Sequence, residues 1–244
     1  MTKLALATIA LLGTITTAQA HQIWIEQADG QNAVVRFGEF GENLREASPG
    51  LLDKFVKVTG TLVSAKGEQK SDATKIASGF TLPFKAASGD GILAEDVSYP
   101  LFTTKQQDKQ ATGWYYPAAR LITGFAAQKP KLPLDLVPTG NEGEFKLFFK
   151  DQPKAKIKVT LVTQSGWSKE ASTDEQGVVK FDLPWKGTYV AEVSFSDRTA
   201  GERAGSNGAE KYDSVSYVTT LTYVNANGLS PLPAGPAATP SPAK

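Results

Sequence analysis

Apolar side chains recur at every second position through most of the C-terminal half, the period of a half-buried β-strand. Ile157, Val159 and Leu161 alternate with Lys156, Lys158 and Thr160. The pattern returns at Phe145-Leu147-Phe149, Val179-Phe181-Leu183, Tyr189-Ala191-Val193-Phe195 and Val215-Tyr217-Thr219-Leu221-Tyr223. Between these runs lie turn-forming residues, at Lys150-Asp151-Gln152-Pro153, Thr173-Asp174-Glu175-Gln176-Gly177 and Pro184-Trp185-Lys186-Gly187. Short strands with turns at this spacing predict an antiparallel β-sandwich over residues 136–225.

The first half is less regular but still reads as β. Strands are expected at 22–27, 33–37, 55–63, 79–84 and 119–126, with one short helical turn where Ser48-Pro49 precedes Gly50-Leu51-Leu52-Asp53-Lys54. The stiff stretch Lys129-Pro130-Lys131-Leu132-Pro133 places a boundary near residue 135. The fold class is therefore all-β, with two sandwich-like domains at 21–135 and 136–225. Asp197 to Asp213 is too polar to pack and is expected as a long hairpin loop. Residues 226–244, mostly Pro, Ala, Gly and Ser, are expected to be a disordered tail.

Residues Met1 to Ala20 have the composition of an export signal: Lys3, an apolar run from Leu4 to Ile15, and a small-x-small site at Ala18-Gln19-Ala20. Cleavage there leaves 224 residues with 25 basic and 25 acidic side chains, since Lys3 leaves with the signal and the totals are 26 and 25. A balanced charge argues against a nucleic-acid binder. No second apolar stretch approaches the ~18 residues of a membrane span. The mature chain is expected to be periplasmic, without a membrane span. It contains no cysteine, and Met1 is the only methionine, so a metal site would use nitrogen and oxygen ligands.

The expected cut makes the only histidine, His21, the first residue. An α-amine and an imidazole both shed protons near neutral pH and can chelate one ion together. Such a bite suits copper or nickel. Glu26, Glu39 or Glu42 could add an oxygen. Copper enzymes that cleave polysaccharides oxidatively need a second histidine, which this chain lacks. The plainer alternative is an ordinary polar residue at a frayed end.

Other candidates have structural explanations close at hand. Trp24 is expected to pack one face of the first strand while Ile23 and Ile25 cover the other. Trp114-Tyr115-Tyr116-Pro117 suits interdomain packing better than a sugar platform. Glu39, Glu42, Glu46 and Asp53 form an acidic string that matches no calcium loop and suits a solvated face. Cysteine catalysis is impossible, and nucleophile-elbow, phosphate-loop and dinucleotide patterns are absent. The chain is not expected to be an enzyme.

Six stretches in order resemble the DUF4198 family of exported bacterial proteins associated with periplasmic nickel or cobalt uptake. They are HQIWIE, VRFGEFGENLREASPGLLDKF, LPLDLVP, FKLFFKDQPKAKIKVTLVT, STDEQGVVKFDLPWKGTYVAEV and YDSVSYVTTLTY. The second half also resembles transthyretin-like and Cna-B-like sandwiches. The resemblance implies a nickel- or cobalt-binding protein with a membrane transporter component as partner, and its shared start points to His21 as a ligand; copper enters from the chelate chemistry alone. The other reading is a non-catalytic structural or interaction module of the cell envelope.

Overall fold

The strand Lys109–Ile122 is bonded to neighbours drawn from both halves of the chain. Ten of its residues, Gly113 to Ile122, run parallel to Ser214–Tyr223. On its other side lie Gly91–Glu95 and Leu101–Gln106, both antiparallel. In this computed structural model, which describes residues 21–106, 109–205 and 208–242, the result is a nine-stranded sheet. Its order is Ser168–Ser172, Lys158–Thr163, Gly187–Asp197, Ser214–Asn225, Lys109–Ile122, Gly91–Glu95, Thr59–Ser64, Gly67–Asp72. The expected export signal lies outside the described residues.

Strand alternation sends side chains from this sheet into two cores. Trp114, Tyr116, Ala118 and Ile122 join Tyr189, Ala191, Val193, Tyr217 and Leu221 in one core. A four-stranded sheet covers that face with Leu134, Leu136, Phe145, Leu147 and Val179. Ala119 and Leu121 point the other way, against Ile23, Ile25, Val35, Phe37 and Phe80 of a five-stranded sheet. The Gln22–Glu26 strand of that sheet is buried on both faces. Its Trp24 meets Phe40, Val162 and Val190, so the two isoleucines and the tryptophan divide as alternation dictates.

Two successive threonines fasten these layers. Thr219 Oγ1 donates to the Leu134 carbonyl at 2.7 Å, on the four-stranded side. Thr220 Oγ1 donates to the Ile23 carbonyl at 2.8 Å, on the five-stranded side. Both residues are buried. Each hydroxyl satisfies a backbone acceptor that the sheet ladders do not reach.

The all-β expectation holds, and the sandwich faces are where the alternation put them. The nine-stranded sheet takes strands from both sides of the expected boundary near residue 135, so the halves share a sheet. The connector before it is held by a buried ion pair. Arg120 lies 1% exposed and Asp135 0%. Arg120 Nε and Nη2 donate to Asp135 at 2.9 and 2.5 Å, and the Lys131 and Leu132 amides complete the carboxylate's partners.

Local expectations fare unevenly. The helical turn is a short 3-10 segment, Leu51–Lys54. The expected strand 119–126 is the end of the much longer Lys109–Ile122. The polar 197–213 stretch contains a hairpin of its own, Gly201–Gly205 against Gly208–Tyr212. Residues 226–242 form no helix or strand, as their composition dictates. They nevertheless make specific contacts: Leu229 exchanges hydrogen bonds with Pro184 and Lys186, and the Asn43 side-chain amide donates to the Gly235 carbonyl. In this structure the tail is a strap laid across the protein.

Candidate functional site

His21 enters the fold at the start of the Gln22–Glu26 strand, whose partner runs from Val34 to Glu39. The pairing Gln22↔Gly38 puts His21 beside Glu39. Tyr115 Oη donates to the His21 carbonyl at 2.8 Å, fixing the backbone here. The alternative of a frayed polar end is therefore corrected: the His21 side chain is 26% exposed and has partners on both ring nitrogens.

Those partners come from one tight excursion of the chain. Gly38↔Arg45 and Glu39↔Leu44 pair across a short hairpin. Gly38 sits at φ 141°, and a Cβ there would collide with the Leu44 carbonyl, so glycine is required. The Glu46 amide then bonds the Phe37 carbonyl at 2.8 Å, returning residue 46 to the same edge. His21 Nε2 lies 2.7 Å from Glu46 Oε1, and Nδ1 lies 3.2 Å from Glu39 Oε1. The imidazole also leans on Phe37, with ring centres 5.3 Å apart.

Glu46 is wholly buried. Besides His21 it accepts two hydrogen bonds from Ser241: the amide at 2.9 Å to Oε2 and the hydroxyl at 2.8 Å to Oε1. Burial opposes its ionisation, but the bonds from Ser241 and His21 prevail and hold its carboxyl below the usual range. Glu39 behaves oppositely. Burial, with Glu42 and Glu46 nearby, raises its carboxyl above the usual range despite the attraction of His21. Glu192, half-buried on the Gly187–Asp197 strand, is raised to about 7 by burial and by Glu39, against a hydrogen bond from Gln22. The surroundings of His21 therefore hold a surplus of carboxylates, which favours a proton or a cation.

Of the three oxygen donors considered from sequence, Glu39 alone reaches His21. Glu26 is engaged by Arg36 at 2.9 Å, Arg45 at 2.6 Å and the Trp24 indole at 3.0 Å. Glu42 acts only through its charge on Glu39. Asp53 caps its own 3-10 turn through the Gly50 amide and pairs with Lys75. The aromatic run splits across the sheet, with Trp114 and Tyr116 in one core and Tyr115 against the other, so it offers no platform. Asp174 closes its turn as expected, accepting from the Gln176 and Val178 amides, with Gly177 at φ 78°.

Glu46, Tyr115, Glu192 and Ser241 were not singled out from sequence as companions of His21. Glu46 was visible within the acidic string. Ser241 could not have been found, because a serine in a Pro/Ala-rich stretch carries no periodicity.

Side chains alone do not complete a metal site: among the described residues, no group of three or more His, Asp or Glu side chains is arranged to hold an ion. His21 and Glu39 supply two donors, and a third must come from elsewhere. Compared with known proteins, the chain matches no family model and no curated relative, so the site is interpreted on its own geometry.

Proposed function

We propose that the chain, once cut after Ala20, is a periplasmic carrier of a divalent transition-metal ion (nickel, cobalt or copper) that serves metal uptake or homeostasis. The freed amine of residue 21 is the third donor. With His21 Nδ1 it forms a chelate, and Glu39 adds an oxygen. The protein in this reading captures and hands on an ion, and catalyses nothing. The resemblance to exported nickel and cobalt proteins points the same way, and a membrane transporter component is the expected recipient.

One observation carries the reading. Glu46, buried and held ionised by Ser241, accepts from Nε2 of the ring. A proton on Nε2 leaves Nδ1 with the lone pair, on the side where Glu39 lies, and an amine–imidazole chelate uses Nδ1. Carboxylates commonly orient metal-binding imidazoles in this way.

A second reading is favoured by the presence of carboxylates at both ring nitrogens. Both nitrogens donate only in the protonated ring. His21 would then be a structural clamp, and the protein an envelope interaction module. Calorimetric titration separates the two. Mature protein beginning at His21 is expected to bind Ni(II), Co(II) or Cu(II), and a form carrying one extra residue before His21 is expected to lose most of that affinity. Equal binding by the two forms, or none by either, removes the carrier reading.

A further inference from the structure

A cavity of 560 Å³ opens beside His21, which forms part of its wall. Pockets of ~300–1,000 Å³ are the size that small molecules fill. The remaining wall is mainly apolar: Phe37, Tyr99, Leu101, Phe102 and Tyr115. Its rings are already organised by one another. Tyr99 and Tyr115 meet edge-to-face at 4.9 Å, and Phe55 braces both Phe37 at 4.9 Å and Tyr99 at 5.1 Å from behind. The Tyr115 hydroxyl is occupied by the His21 carbonyl, so its ring, not its oxygen, is presented. Phe102 is 42% exposed at the cavity mouth.

Lys54 is the cationic member of the wall, and it makes no ion pair among the described residues. A mainly apolar, aromatic wall that carries one lysine suits a ring bearing a single carboxylate. The ring stacks among the aromatic side chains. The carboxylate faces Lys54, the one charged side chain of the wall besides the imidazole of His21. An amine-bearing ligand would instead oppose Lys54, and a sugar would find few polar partners.

We infer that this cavity holds an aromatic monocarboxylate, and that the ion arrives at His21 as its chelate with such a molecule. The second clause rests on the carrier reading above; the first does not.

Pyridine-2-carboxylate and benzoate are suitable probes. Mature wild-type protein is expected to bind the 1:1 Ni(II)–pyridine-2-carboxylate complex about tenfold more tightly than Phe102→Ala or Lys54→Met, a difference readable by calorimetry. All three proteins should bind aqueous Ni(II) equally, because neither substitution touches a proposed ligand. The inference is overturned if the variants bind the complex as wild type does, or if wild type takes the ion and leaves the pyridine-2-carboxylate in solution. Should aqueous Ni(II) bind to none of them, the carrier reading falls while the cavity is still tested. Metal-free wild type should then take up benzoate, and both variants should lose it; no uptake by wild type ends the proposal.

Discussion

Ser241 and Glu46 meet through two hydrogen bonds although 195 positions separate them in the chain. The serine belongs to a strap without regular structure, and the glutamate lies under it, out of contact with solvent. Ser241→Ala removes the hydroxyl bond and leaves the amide bond. The expected result is ~1 kcal/mol lower stability in urea unfolding, the usual net value of one hydrogen bond. Under the carrier reading, metal affinity falls roughly tenfold, the lower end of what outer partners of metal ligands contribute. Unchanged affinity with lowered stability would make the strap purely structural.

Glu192 gives the fold a pH dependence of defined sign. Its carboxyl moves from 4.5 to about 7 on folding, chiefly through burial. The unfolded chain therefore releases this proton first. The contribution of the neutral carboxyl is complete below 4.5 and disappears as pH rises through about 7. Glu192→Gln should match wild type near pH 4 and exceed it near pH 8 by about 1–2 kcal/mol. Parallel urea curves at the two pH values would show this; equal stabilities at pH 8 would mean that Glu192 is solvated.

Arg120 and Asp135 form a buried pair whose remaining acceptor capacity is filled by backbone amides. Removing one member strands the other charge. Asp135→Asn is expected to cost about 3–5 kcal/mol, whereas replacing both residues by leucine should cost much less. Denaturant unfolding of the single and double variants checks the order, and a double variant as damaged as the single would contradict it.

Thr219 and Thr220 predict a separation of the two outer layers. Thr219→Val should speed amide exchange in the four-stranded sheet around Leu134, and Thr220→Val in the strand Gln22–Glu26. Each substitution leaves one buried carbonyl unpaired and should cost about 1–3 kcal/mol. Exchange mass spectrometry would reveal whether each effect stays on its own face.

Where burial is one-sided, alternation showed the strands plainly. Val159, Leu161, Tyr189, Ala191 and Val193 are all core residues at the spacing their sequence displays. The strand Lys109–Ile122 was seen only at its end for the opposite reason: from Trp114 onward both its faces are covered, so that stretch does not alternate. Gly67–Asp72 was hidden because it is almost wholly exposed and held by register with Thr59–Ser64 alone. The shared sheet depends on a parallel pairing between residues about a hundred positions apart, which no local pattern encodes. At the candidate site, His21 and Glu39 were legible by residue type. Glu46 takes its role from a hairpin that turns it inward, and Ser241 from a strap whose path only the folded chain reveals.

The strap has a further effect on how the molecule comes into being. A polypeptide delivered amino end first would expose an unfinished carboxylate at position 46 until residue 241 arrived. Shortened products that stop before residue 241 would lack both bonds to Glu46 and present an acid without its cap. The contact between these two residues thus joins the end of the strap to the hairpin beside His21.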